Sequence, residues 1–376
     1  MDLILHIGTH KTGTSSIQAC MEANRARLRA AGVHYPRSCA AFDGNHSPLC
    51  AAMVRDPRDN RWEGLPGWDD FLAECRQAGA PTVLVSAELF SARLRNRQHA
   101  LRIREMFRGA FDTVTVVVYL RRQDEYVRSM YMEAVKHGFF NKAALAPTFA
   151  ESAAQIAERQ GDYLALLHNL DEAFGREHLR VRVFEKGQLH PGGLLPDFLD
   201  ACGISAAGLD LKAGGLVNVS PGRKVVTAMH LGRHVYEGIF GEASGMRHRV
   251  GIMGRAHSIL VEAWPGDAKY LGYPPGGARA LVERFATSNE TVAREYLGRA
   301  DGVLFRNGRY AELAEGERDE VPLSFADVRL VVAAIDISHA VYRRRMRKPW
   351  IAYLRRHWAI ATHRARSRAR RGAAAP

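Results

Sequence analysis

Long apolar runs are what this 376-residue sequence most plainly lacks. No stretch reaches the roughly 18 consecutive apolar residues that a membrane-spanning helix needs. Strand-like sequence begins at Leu3, which leaves no room for the basic and apolar regions of a secretory leader. Cysteine is sparse as well: Cys20, Cys39, Cys50, Cys75 and Cys202 show no CxxC pair and no regular spacing. That pattern points away from a disulfide framework and from a zinc site. The expected location is therefore cytoplasmic. Acidic residues are missing from one part of the chain, since none follows Asp336, and residues 343–371 hold 12 Lys/Arg. Subtracting them from the total of 53 leaves 41 basic against 40 acidic groups in the first 336 residues. The net charge of +13 thus belongs to the tail, and the nearly neutral body argues against a nucleic-acid partner.

With 47% hydrophobic residues the chain can bury a substantial core. Leu3–Ile7 reads as a strand buried on both faces, and Thr14–Ala30 as a helix with Ile17, Met21 and Leu28 on one side and Gly32 where its end cap belongs. Further apolar runs, "TVLVS" at 82–86, "VTVVVYL" at 114–120 and "LRVRVF" at 179–184, alternate with helical patterns near 97–107 and from Asp124 to Gly138. Continuous apolar strands separated by helices predict an α/β fold, a central parallel sheet flanked by helices. From about 190 to 310 the pattern is mostly helical with Gly and Pro breaks, and no internal repeat is visible. One domain over 1–310 and an extension over 311–376 are expected.

The chemistry concentrates in "HIGTHKTGTSS", residues 6–16. A strand that enters a helix through a short loop aims unpaired backbone N–H groups and the positive helix end at one point. Gly13 permits close approach, Lys11 adds a charge, and Thr12, Thr14, Ser15 and Ser16 offer hydroxyls, so the ligand should be phosphate-like. The order G-x-x-K-T-G-T differs from the nucleotide loop G-x-x-x-x-G-K-[ST], in which lysine follows the second glycine. "VVVYLRRQDEYVRSMYMEAVKHG", residues 116–138, places Arg121 at the end of a strand and Ser129 eight residues on. A second oxyanion site at the same sheet edge would follow, and with it a ligand carrying two separated anionic groups. Tyr163 reads as helix-face packing.

"KTGTSS" at 11–16 and Arg121…Ser129 resemble the two elements by which sulfotransferases bind 3′-phosphoadenosine 5′-phosphosulfate (PAPS), one for the 5′-phosphosulfate and one for the 3′-phosphate. "HIGTHKTGTSSIQ" with "YLRRQDEYVRSMY" looks most like the bacterial branch acting on carbohydrates or glycolipids, and "FATSNETVAREYLG" at 285–298 is similar to the late segment of carbohydrate sulfotransferase domains. The resemblance implies a P-loop-like three-layer fold, PAPS as co-substrate without a metal, and a carbohydrate or glycolipid acceptor. It implies cofactor binding by Lys11, Thr12, Gly13, Thr14, Ser15, Ser16, Arg121 and Ser129, with Lys11 also stabilising charge on the leaving oxygen. No K-x-H-L-P-type segment supplies the catalytic histidine of the cytosolic small-molecule enzymes. Three residues remain candidates for the base: Glu88 in "SAELFS", just past a strand's carboxyl end, then His46 in "GNHSPL", then His10 in the anion loop. A P-loop-type kinase of a small hydroxylated substrate is the alternative reading. The tail, where Trp350, Ile351, Leu354 and Trp358 recur at helical spacing among arginines, is expected to touch anionic membrane surfaces.

Overall fold

The computed structural model describes residues 1–41, 43–54, 67–138, 148–212, 221–241 and 245–344. The chain divides into two compact units, one formed by Met1–Tyr131, Leu145–Val219 and Gly272–Glu317, the other by Met132–Ala144, Ser220–Leu271 and Arg318–Pro376.

The first unit is built on a five-stranded sheet of β1 (Asp2–Gly8), β2 (Val33–His34), β3 (Thr82–Ser86), β4 (Val114–Leu120) and β5 (Leu179–Val183). The strands run in the order β2-β3-β1-β4-β5, and every pairing is parallel. The apolar runs bury both faces of this sheet. On one side Leu3, Leu5, Val83, Val85, Val116 and Val118 pack with Phe71, Phe107, Leu166 and Leu170 from helices Trp68–Ala78, Arg97–Arg108 and Tyr163–Phe174. On the other, Ile4, Leu84, Val117 and Tyr119 meet Ile17, Met21, Leu28 and Phe198. The result is the expected α/β architecture, helix layers on both faces of a parallel sheet.

Three local departures from the sequence reading have physical causes. The expected helix over 14–30 is two helices, Thr14–Ala23 and Arg25–Ala30, broken at Asn24. The buried Asn24 amide donates to the carbonyl of Asp210 at 2.9 Å and accepts the Asp210 N–H at 2.8 Å, a backbone-like pairing that holds the break in place. β2 was not anticipated, because two residues carry no readable periodicity. Helix Gln123–His137 begins one residue earlier than Asp124 and ends, as expected, before Gly138, which has φ +66°.

In the second unit, helices Arg223–Phe240 and Met246–Ala263 are joined by a helix over 325–344. Gly232 lies close to Val331 and Ile335, where an added Cβ would come 3.4 Å from Val331 Cγ1. Asp267 caps the first of these helices by accepting the N–H groups of Lys224 and Val225 at 3.0 and 2.8 Å. Lys224 pairs with Asp327 at 2.8 Å. No helix among the described residues is long and apolar enough to cross a membrane. Trp350, Ile351, Leu354, Trp358 and most of the basic tail lie outside the described residues.

Candidate active site

The site grows from the carboxyl end of β1, the central strand. Its last residue, Gly8, adopts φ +82°, and a Cβ there would come 3.0 Å from Cβ of Glu88. The strand end and Glu88, two residues past the end of β3, thus meet only because position 8 has no side chain. The loop then turns through Thr9, whose N–H and hydroxyl both donate to the Tyr119 carbonyl, at 3.0 and 3.1 Å. Thr12 donates its hydroxyl to the Thr9 carbonyl at 2.6 Å. Gly13 has φ +79° and packs so tightly that an added Cβ would lie 2.2 Å from Leu194 Cδ2.

Lys11 holds φ +64°, a left-handed conformation that an ordinary side chain rarely adopts. Strain of this kind, on the order of 1–3 kcal/mol, persists only where surrounding contacts over-determine it. One such contact is Arg121, whose Nη1 donates to the Lys11 carbonyl at 2.8 Å. At the start of helix Thr14–Ala23 the N–H groups of Ser16 and Ile17 both turn to the Gly13 carbonyl. Among the described residues the N–H groups of Thr14 and Ser15 have no backbone acceptor. Both stand at the first turn of the helix, beside Lys11 and Gly13.

The four hydroxyls are not equivalent. Thr12 is fully buried with its proton committed inside the loop. Thr14 is buried, Ser16 is half-buried and Ser15 is exposed. Periodicity alone could not separate them.

Arg121 follows β4 directly and is partly buried, with a 3.2 Å ion pair to Glu125 and its guanidinium 5.6 Å from the Phe184 ring centroid. Tyr163, buried as expected, donates its hydroxyl to the Arg121 carbonyl. Ser129 is buried two turns into helix Gln123–His137. No hydrogen bond joins it to Arg121. The neighbouring Arg122 turns inward: it pairs with the buried Asp124 at 2.6 Å, donates to the carbonyls of Asn307 and Arg309, and lies 4.5 Å over the Tyr310 ring. Its function is to tie the 307–310 segment to the start of the helix.

The three base candidates sit in different surroundings. Glu88, half-buried, accepts at Oε2 from Gln18 Nε2 and from Asn45 Nδ2, each at 3.3 Å. His46 is fully buried, with Nε2 at 3.0 Å from the Pro36 carbonyl and Nδ1 accepting the Ser86 N–H at 3.3 Å. Since a carbonyl only accepts, the His46 proton is on Nε2, and both ring nitrogens are committed to backbone. Burial pushes its pKa down to about 4. His46 is thus a structural bridge between the 36–46 loop and β3. His10 is half-buried in the loop itself.

Sequence reasoning missed Gln18, Asn45, Ser86 and His6. His6 is fully buried in β1, with Nδ1 2.8 Å from Ser86 Oγ. Gln18 Nε2 approaches the same hydroxyl at 3.3 Å. The available signal was a glutamine directly after Ile17 on the helix side facing the sheet.

No family model matches the chain. It is 33% identical over 89 residues to an uncharacterized protein of Archaeoglobus fulgidus, a match covering 24% of this chain and 22% of that protein. The chain therefore spans only about a fifth of the curated relative it matches. Among solved structures it is similar to a sulfotransferase from Alicyclobacillus acidocaldarius, with 20% identity, a TM-score of 0.37, and coverage of 65% of this chain and 98% of that one.

Proposed function

We propose that this protein transfers a sulfuryl group from PAPS to a hydroxyl of a carbohydrate or glycolipid acceptor. The observation that carries the reading is the loop at the carboxyl end of β1. There a strained Lys11, the open N–H groups of Thr14 and Ser15 and the residue Glu88 stand at one sheet edge. An oxyanion donor is held by the first set, and a proton is accepted by the last.

The fit to the co-substrate rests on chemistry of this chain. Lys11, Gly13, Thr14, Ser15 and Ser16 would hold the phosphosulfate end, with Thr12 acting from within by fixing the loop. Arg121 and Ser129 are assigned to the 3′-phosphate. Bound there, PAPS supplies an activated sulfuryl group on a phosphate leaving group. Lys11 balances charge that develops on the leaving oxygen, and preorganised donors of this type act without reorganising during the reaction. Glu88 is the base, because its carboxylate is held by two amides and its Cβ stands beside Gly8 where the loop begins, whereas both nitrogens of His46 are already bonded.

The test has two stages. Adenosine 3′,5′-bisphosphate should raise the melting temperature, since a ligand bound only by the folded state stabilises it. Mg·ATP should not, and the reverse outcome would favour a kinase. Transfer of labelled sulfate from PAPS to a panel of glycans and glycolipids then identifies the acceptor. Absence of any bisphosphate binding at millimolar concentration would refute the proposal.

A further inference from the structure

We infer that Gln18 and Asn45 are positioning residues that hold Glu88 by one carboxylate oxygen, Oε2, so that the other, Oε1, takes the proton of the acceptor hydroxyl. The inference rests on the reading of Glu88 as the base.

Both hydrogen bonds to the Glu88 carboxylate end on Oε2. They come from different elements, Gln18 from helix Thr14–Ala23 and Asn45 from the loop before helix Ser47–Met53. The orientation of each amide is determined by its other partners. Asn45 Oδ1 accepts the N–H and the hydroxyl of Ser47 at 2.7 and 2.6 Å, which leaves Nδ2 for Glu88. Gln18 Nε2 also lies 3.4 Å from the Ser86 carbonyl, an acceptor only, so the nitrogen and not the oxygen must be on that side. Two donors occupy Oε2, which leaves Oε1 as the oxygen with lone pairs directed to a partner outside this pair of amides. The proton then goes to Oε1.

Gln18 is itself immobilised. It is 2% exposed, and its nitrogen approaches Ser86 Oγ, which His6 Nδ1 also approaches, at 2.8 Å. His6 is fully buried with the edge of the Phe198 ring against it, centroids 4.9 Å apart. The chain His6–Ser86–Gln18–Glu88 thus runs from the sheet interior to the site. Gln18 also stands one helical turn beyond Thr14, about 6 Å along the axis at 1.5 Å per residue. One rigid helix therefore carries both the open N–H groups that face the anion and the amide that sets the base. The helix backbone fixes the spacing between them, and this registers the proton acceptor against the sulfuryl donor.

In the step so served, the acceptor O–H bond breaks as its oxygen bonds to sulfur. The proton passes to Glu88 Oε1. The sulfur–oxygen bond to the phosphate breaks, and its electron pair leaves on adenosine 3′,5′-bisphosphate. With water in place of the sugar the same balance yields inorganic sulfate, so PAPS in buffer is a sufficient probe.

The experiment compares Gln18→Leu, Asn45→Leu and Glu88→Gln, alone and combined. Gln18→Leu should lower kcat by roughly 10–100-fold, the scale of a small misplacement of a reacting group, with KM for PAPS unchanged. It should have almost no further effect in the Glu88→Gln background, because residues acting through one group are not additive. In the ligand-free protein, the carboxyl 13C resonance of Glu88, assigned by its loss in Glu88→Gln, should move in both leucine variants. If Glu88→Gln loses turnover while Gln18→Leu keeps it, the positioning role is overturned and the base survives. If Glu88→Gln keeps turnover, the base reading itself is overturned. An unmoved resonance refutes the contact regardless of activity. Should Gln18→Leu fail to fold, Asn45→Leu carries the same three measurements.

Discussion

The guanidinium of Arg121 donates to the backbone carbonyl of Lys11 across 2.8 Å, joining the residue after β4 to the loop after β1. A side chain expected to contact the ligand is thus also part of what keeps Lys11 in its left-handed conformation.

Arg121→Ala should therefore do two things. On the proposed function it removes a charge-assisted contact to the nucleotide, worth roughly 1.5–3 kcal/mol, and it takes away the hydrogen bond to the Lys11 carbonyl. Calorimetric titration with adenosine 3′,5′-bisphosphate should show an affinity loss at or above the top of that range. Arg121→Lys should not restore it, since a point-like ammonium lacks the planar fork by which separate guanidinium nitrogens reach the Lys11 carbonyl and Glu125. Full rescue by lysine would mean that Arg121 acts as a simple charge.

Glu88→Gln should leave bisphosphate binding nearly intact and lower turnover by roughly 10²–10⁴-fold. His46→Ala should behave differently, because the ring bridges the Pro36 carbonyl and the Ser86 N–H. Its main effect should be a lower melting temperature, by the loss of buried hydrogen bonds costing about 1–3 kcal/mol. A stable His46→Ala protein without turnover would reverse these assignments.

Acid should unfold the protein through its buried histidines. Burial lowers the pKa of His6 to about 3 and that of His46 to about 4, from 6.5. Both are neutral in the folded chain and charge readily once unfolded. Their contribution is fully present above pH 6.5 and is lost as pH falls toward those folded values, by roughly 1.4 kcal/mol per unit for each. Melting temperatures between pH 7 and 4 should fall less steeply in His46→Gln than in the parent. Identical slopes would contradict this account.

The basic tail should bring the protein to anionic lipid. A truncation near Asp336 would cut through the helix over 325–344, whose Val331, Ala334, Ile335 and Ser338 are buried, so the informative variant ends at Arg344. The full chain should co-sediment with phosphatidylglycerol vesicles at low salt and be released at high salt. The shortened chain should stay in solution and still bind the bisphosphate. Equal partitioning of the two would remove the membrane role.

The sheet and the strand, tight loop and helix at its centre were legible in the sequence because their signals are local. A strand covered on both faces must be apolar at consecutive positions, as "LIL" at 3–5 and "VVV" at 116–118 are, and a loop that lets backbone N–H groups converge needs Gly13 beside its charged and hydroxylated neighbours. What each polar side chain bonds to was not legible, since its partner is set by segments far away in the chain. Lys11 O meets Arg121 from 110 positions on, Asn24 meets Asp210 from 186, and Gln18 meets Glu88 from 70. His46 looked suited to proton transfer by its type and its polar loop, yet two backbone groups brought to it by the fold occupy both nitrogens. Residue type and spacing decided where chemistry could occur. Which groups remain available for it was decided by tertiary hydrogen bonding, because a buried polar atom must take whatever partner the packing supplies.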